Sequence, residues 1–212
     1  MLFGNPDPAQ LIGVLVALVV GITFHEFSHA FVADSLGDHR TRALGRVSLN
    51  PLRHLDPIGS LFILIAGFGW GRPVPVNVYA LRPGPIGMSW VSAAGPVANL
   101  VVATAFAVVF RAADVAGLVS SDNLFLANVL YAVVLYNVAL ALFNLLPIPP
   151  LDGYNLVLPL LPPRIAYQVQ QYAQYGMLVL LALVALSFYG GFSPLRWVFQ
   201  LAAGIAGLLI GA

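Results

Sequence analysis

Residues 11–32 read LIGVLVALVVGITFHEFSHAFV, an apolar run interrupted near its end by His25-Glu26-Phe27-Ser28-His29. About 20 mostly apolar residues suffice for a helix to cross a bilayer, and this run is that long. Glu26 is the only glutamate in the chain, and two of its four histidines flank it. Ionisable groups inside an apolar helix are costly and mark a functional site by default. On an α-helix His25 and His29 stand one above the other on one face. Neutral imidazoles so placed can both reach one zinc ion. Glu26, about 100° round the helix from His25, can approach a water at that ion without being a ligand. The competing structural reading is an interfacial polar cluster that pairs with arginines of the following loop.

Composition agrees with a membrane setting. The 212 residues are 60% apolar and 8% charged, against roughly 45–50% and 25% for an ordinary soluble domain. A chain this short has too much surface to hide that excess. A soluble globular domain, a disordered chain and a nucleic-acid binder are thereby excluded as classes. There is no cysteine, hence no thiolate ligand and no disulfide. The net charge of +1 points to no anionic partner. Asp7 is the only charge ahead of the first run, so the start does not read as a signal peptide.

Four further runs complete an all-α polytopic reading with about five transmembrane helices: Pro85 to Phe110, Leu124 to Leu146, and a shorter closing pair, Ala173 to Tyr189 and Leu195 to Ile210. Ile58 to Phe68 is too short to span and suits a re-entrant segment. Val74, Val76 and Val78 alternate with Pro75 and Asn77. That period of two predicts a short β-hairpin with a proline-limited edge near the cytoplasmic face. If the first helix ends in the cytoplasm and 58–68 re-enters, Arg40, Arg42, Arg46, Arg53, Arg72, Arg82 and Arg164 lie inside, and Arg111 and Arg196 outside. That is a positive-inside bias with the N-terminus outside. We expect one membrane domain, 1–212, with a catalytic core at about 9–155 and a C-terminal helix pair at about 165–211.

A catalytic zinc site usually has three protein ligands and an open position. The best third candidate is Asp152, in Leu145-Leu146-Pro147-Ile148-Pro149-Pro150-Leu151-Asp152-Gly153. The prolines there break the third span and free the backbone to turn. His54 and His39 compete for the place from a polar loop, where a histidine is more often solvated. His25, His29 and Asp152 share one side of the membrane only if 58–68 does not span, which is also what the arginines ask for.

The sequence resembles the site-2 proteases, intramembrane zinc metalloproteases. HEFSH on a first transmembrane helix and Leu151-Asp152-Gly153 after a later one carry the resemblance. It extends to Ser48-Leu49-Asn50-Pro51 through His54, Asp56-Pro57 and Gly59, Gly69-Trp70, Pro73-Val74-Pro75-Val76-Asn77, Ala94-Gly95-Pro96 with Asn99, and Asn144 to Pro147. The similarity covers roughly residues 20 to 155 and is to the compact bacterial and archaeal branch, without the PDZ insertion or nucleotide-sensing domain of other members. It implies zinc held by His25, His29 and Asp152, and Glu26 as general base. It also implies cleavage of a substrate's transmembrane segment near the cytoplasmic face, in a substrate usually trimmed first by another protease. For holding the oxyanion or the substrate backbone it points to Asn144, with His54 less certain. The plain alternatives are a helix-end amide for Asn144 and a surface loop histidine for His54.

The chemistry follows. Zinc can bring the pKa of water to about 7, Glu26 would take the proton and pass it to the leaving amine, and a helical substrate must unwind before attack. Val74 to Val78 could bind the unwound strand by edge addition. Asn99 is placed to hydrogen-bond either the backbone of the site or another helix. Gln168 to Tyr175 reads as an interfacial aromatic belt or as a border of the substrate entrance. The expected partners are the lipid bilayer, a single-span membrane protein as substrate and an upstream trimming protease, with no nucleic acid. The expected location is a bacterial inner or plasma membrane. Two other classes compete: a pseudoprotease that binds transmembrane helices without cutting, for which Glu26 would be unneeded, and a zinc-handling protein, which would want ionisable groups along a path through several spans.

Overall fold

The computed structural model describes residues 8–59, 70–82, 84–119, 124–189 and 194–211. Within them lie α1 (Pro8–Ser35), α2 (Arg40–Ala43), α3 (Pro85–Val115), α4 (Leu124–Asn144), α5 (Asp152–Val157), α6 (Pro163–Tyr172), α7 (Gly176–Tyr189) and α8 (Pro194–Ile210). The stretches Leu11–Ser35, Pro85–Val115, Leu124–Asn144 and Pro163–Ser187 are long and apolar enough to cross a membrane, whereas Leu195–Ile210 is apolar but shorter. The chain is an all-helical membrane protein. Side chains on its outer face, among them Phe31, Trp90, Val101 and Val108, are large, apolar and exposed, as lipid-facing positions require.

α1, α3 and α4 form the framework. Small residues set the α1–α4 contact. A Cβ on Gly13 would come 3.0 Å from Ala132 Cβ, and one on Gly21 would come 2.9 Å from Leu140 Cδ1, while Ala17 between them packs with Val102 and Val133. In lipid, helices associate through such close backbone approach because no hydrophobic drive is left. The spacing of four continues from Gly13, Ala17 and Gly21 to His25 and His29. Each step of four adds about 40° to a full turn, so the stripe rotates from α4 toward α3. The histidines thereby meet Gly95 of α3, where a Cβ would lie 2.6 Å from His25 Cε1.

α1 stops at Gly37, whose φ of 119° closes the helix. Its N–H bonds Asp34 O, and the N–H of Asp38 bonds Ala33 O, the Schellman pattern. The stretch from 71 to 77 then crosses near this end. No strand occurs among the described residues apart from one isolated bridge, Leu55 to Gly71, so the β-hairpin expected at 74–78 is not found. The backbone groups there go elsewhere. Arg72 N–H bonds His54 O at 2.6 Å, Arg72 O accepts from Arg46 Nη2, and Asn77 N–H bonds Asp38 Oδ2 at 2.6 Å. Pro73 and Pro75 have no donor to give a ladder. The alternation does not run its full length either: Val78 begins a 3-10 turn, Val78–Ala80, and side chains together with His54 O, not a partner strand, hold the stretch. The expected re-entrant segment 58–68 lies, from residue 60 on, outside the described residues.

The expected antiparallel closing pair is also not what the structure shows. Arg111, near the end of α3, donates from Nε to Leu209 O at 2.7 Å and from Nη2 to Leu208 O at 3.0 Å. These are carbonyls that the end of α8 leaves without helical partners. Ala202 and Ala206 share a core with Ala103 and Ala107 of α3, so α8 runs parallel to α3 and ends at the same level. α7 begins against Pro149, at the other end of the framework. Five spans with α7 and α8 as an in-and-out pair would put the end of α8 there instead.

Candidate metal centre

Three ligand-capable side chains meet where α1, α3 and the start of α5 come together. The donor atoms of His25, His29 and Asp152 lie within 4.8 Å of one another. His25 Nε2 stands 3.0 Å from His29 Nε2 and 3.0 Å from Asp152 Oδ2, and His29 Nε2 stands 3.3 Å from Asp152 Oδ1. Ligand atoms about 2.0–2.1 Å from a tetrahedral ion sit roughly 3.3 Å apart, so the spacing fits a first-row metal. Of the three candidates for the third position only Asp152 joins the cluster. His39 is an exposed partner of Asp34 at 3.1 Å, and His54 is elsewhere.

The hydrogen bonds behind the rings decide what the cluster can hold. His25 Nδ1–H donates to Asn99 Oδ1 at 2.7 Å, and His29 Nδ1–H donates to Val91 O at 2.7 Å. A carbonyl can only accept, so each ring when neutral carries its one proton on Nδ1 and presents a bare Nε2 to the other ring and to a carboxylate. Asp152 Oδ2 is buried without a hydrogen bond although it lies 3.0 Å from His25 Nε2. Three acceptors facing one another with no donor between them repel, and a cation at their centre converts that repulsion into binding. The residues present fit a zinc ion.

Each element delivers its group for a local reason. Val91, Gly95 and Asn99 recur every four residues along α3, and the first and last of them grip the two rings while the glycine lets the rings approach. The proline at 96 removes the helical donor to Ser92 O and loosens the turn beside which Val91 O takes its second partner. Asp152 is held from α3 as well, because Ser89 Oγ donates to Leu156 O at 2.8 Å in the helix that Asp152 begins. Prolines at 147, 149 and 150 turn the chain out of α4 and bring that helix back.

Glu26 faces the loop side. Its Oε2 is 4.0 Å from Arg46 Nη2, and a Cβ on Gly71 would lie 3.2 Å from its Oε1. Arg46 is buried and also donates to the carbonyls of Arg53 and Arg72. Pairing with arginines of this loop is the competing structural reading of the cluster, and Arg46 is the one that reaches Glu26. His54 is not a surface histidine. It is fully buried, its Nε2–H donates to Ser48 O at 2.6 Å, and its Nδ1 is buried without a partner. Burial pushes its pKa down, and the charges of Arg46 and Arg53 add to that against the Ser48 bond and Glu26. Asn144 at the end of α4 donates to Leu140 O at 3.0 Å, which leaves one amide N–H and its oxygen for other partners. Asn99 does more than join helices, since it bonds a ring of the cluster directly. Asn137, one of three asparagines in the apolar α4, carries no motif that would mark it, although it contacts Asn99.

A buried two-histidine, one-carboxylate centre on a transmembrane helix, with a carboxylate one residue along, defines a membrane-embedded metallohydrolase. The profile described as Peptidase family M50 matches residues 112–184, a range that holds Asp152. "Putative zinc metalloprotease YwhC" of Bacillus subtilis is 40% identical, over 80% of this chain and 78% of that protein. "Putative zinc metalloprotease Rip2" of Mycolicibacterium smegmatis is 32% identical over 97% of this chain and 81% of its own length, and the Mycobacterium tuberculosis protein of that name is 33% identical over the same shares. No solved structure gives a significant match. The chain belongs to peptidase family M50, the site-2 proteases. It is a zinc metalloendopeptidase.

Proposed function

We propose that this protein cuts a transmembrane segment of a single-span membrane protein near the cytoplasmic face, with His25, His29 and Asp152 as zinc ligands and Glu26 as general base. The observation that carries the reading is the convergence of three acceptor-only groups on α1 and α5 inside a membrane framework. Zinc so held supplies Lewis acidity, which acidifies water and polarises a carbonyl. Glu26 accepts the proton and returns it to the leaving nitrogen, and Arg46 beside it offsets the cost of a buried carboxylate. Asn99 and Val91 hold the rings. Asn144 offers its remaining N–H to the substrate carbonyl or backbone. His54, with its Nε2–H given to Ser48, offers an acceptor at Nδ1 rather than an oxyanion donor.

The substrate must enter as an unwound strand, and the stretch 72–77 beside Glu26 is where it would lie, paired to carbonyls that the prolines leave open. One domain carries the activity, with 9–155 as its catalytic part. The N-terminus lies outside and the metal end inside a bacterial plasma membrane. With α8 parallel to α3, Arg196 at its start moves to the metal end. Eight of the nine arginines are then inside and Arg111 alone outside, a stronger positive-inside bias than the five-span reading allowed. A trimming protease acting first is the expected partner. The test is a single-span reporter in liposomes with wild type and Glu26→Gln, the cut mapped by mass spectrometry. The proposal expects a cut in the inner half of the segment by wild type only. A cut outside the segment, or one retained by Glu26→Gln, would refute it.

A further inference from the structure

One buried polar group near the centre is not used by the chemistry above, and its bonds form a chain that ends on a ligand. Asn137 of α4 is fully buried, as is Asn99 of α3, so water cannot substitute for either partner. Asn137 Nδ2 donates to Val133 O at 2.8 Å. Since that carbonyl can only accept, Asn137 must turn Oδ1 toward α3, where it accepts from Asn99 Nδ2 at 2.9 Å. The second hydrogen of Asn99 Nδ2 goes to Gly21 O at 3.1 Å. Both donors of Asn99 are thus committed, and its Oδ1 faces His25 Nδ1 at 2.7 Å.

The sense of every bond in this chain is forced. Flipping the Asn99 amide would set its oxygen against two acceptors, Gly21 O and Asn137 Oδ1, and would offer N–H groups to His25 Nδ1. The ring would then take the other tautomer, with its proton on Nε2, where a metal cannot bind. Groups that fix a ligand histidine's tautomer tune metal affinity. The site for Asn137 is also built on the facing helix, since a Cβ on Gly21 would stand 3.0 Å from Asn137 Oδ1.

We propose that Asn137 is a positioning residue: through Asn99 it locks the Nδ1–H tautomer of His25 and so sets the zinc affinity of the centre. The proposal rests on the ligand set given above. A plain cross-helix tie would be lost without any effect on the tautomer, which is how the two differ.

The test uses the full chain in lipid nanodiscs: wild type, Asn137→Leu, Asn137→Asp, Asn137→Ser and His25→Ala. Zinc affinity is read by competition with a chromophoric chelator, and the His25 tautomer by 15N spectra of the zinc-free, histidine-labelled protein. Asn137→Leu is expected to bind zinc about tenfold or more weakly and to show mixed His25 tautomers. Asn137→Asp, whose neutral carboxyl can donate to Val133 O while its other oxygen accepts from Asn99, is expected to keep both as in wild type. Asn137→Ser keeps a donor for Val133 O but is too short for Asn99, and it serves if the leucine variant does not fold. A folded leucine or serine variant with wild-type affinity and one tautomer would overturn the proposal. Wild-type affinity in His25→Ala would overturn the ligand set and the proposal with it, so the two failures are distinguishable.

Discussion

Gly95→Ala perturbs the centre without replacing a ligand. The added Cβ would lie 2.5 Å from His29 Nε2 and 2.6 Å from both His25 Cε1 and His29 Cε1, where ordinary contact begins at 3.4 Å. The deficit is therefore about 0.8 Å at two imidazole carbons. The rings cannot rotate out of the way cheaply, because each is tied at Nδ1 to α3 itself, by Asn99 and by Val91 O. Either those bonds break or α1 and α3 part. Overpacking of this kind costs about 1–3 kcal/mol of stability. Displacing reacting groups by about 1 Å costs on the order of a hundredfold in rate. Gly204→Ala on α8 is the control, because a Cβ there meets nothing within 4 Å. Zinc affinity, thermal midpoint and reporter cleavage would be measured on both variants. Gly95→Ala is expected to lose zinc affinity by about ten- to a hundredfold and most cleavage, while Gly204→Ala behaves as wild type. Wild-type zinc affinity and cleavage in Gly95→Ala would refute the packing account of the centre.

Other outcomes follow from single contacts. Because the folded pKa of His54 lies below its ordinary value, its contribution to stability is full above about pH 6.5 and is lost as pH falls through the folded pKa. The thermal midpoint of wild type should thus drop between pH 7.5 and 5 more steeply than that of His54→Asn, and equal slopes would contradict the burial argument. Val76→Pro removes a donor from the 72–77 stretch and should impair cleavage while zinc content stays at the wild-type level; undiminished cleavage would sink strand addition. Ser89→Ala frees the helix that begins at Asp152 and should weaken zinc binding several-fold with little loss of helicity, as read by chelator competition and circular dichroism.

The sequence and the structure agree where one helix holds the signal. His25 and His29 are legible because helical spacing alone puts them on a face, and Asp152 because a proline-broken apolar run ends on it. Which loop arginine meets Glu26, namely Arg46, and the part played by Asn137 are not legible in the sequence. Each is a single polar residue whose meaning depends on a partner far along the chain, Glu26 for one and Asn99 for the other. Period two at 74–78 predicts a strand, but Val78 begins a 3-10 turn and the carboxylate of Asp38, not a partner strand, takes the N–H of Asn77. Apolar length located α7 and α8 but carried no direction. That information resides in Arg111, whose contact with the end of α8 spans nearly a hundred residues of sequence.

The central claim is that one zinc ion is held by two histidines and an aspartate while Glu26 does separate work. Zinc per chain, measured by atomic absorption on His25→Ala, His29→Ala, Asp152→Ala and Glu26→Gln beside wild type, tests it most directly when reporter cleavage is read on the same samples. Zinc near one per chain is expected in wild type and Glu26→Gln, near zero in the other three, and cleavage in wild type alone. Full zinc in any of the three ligand variants, or cleavage by Glu26→Gln, would contradict it.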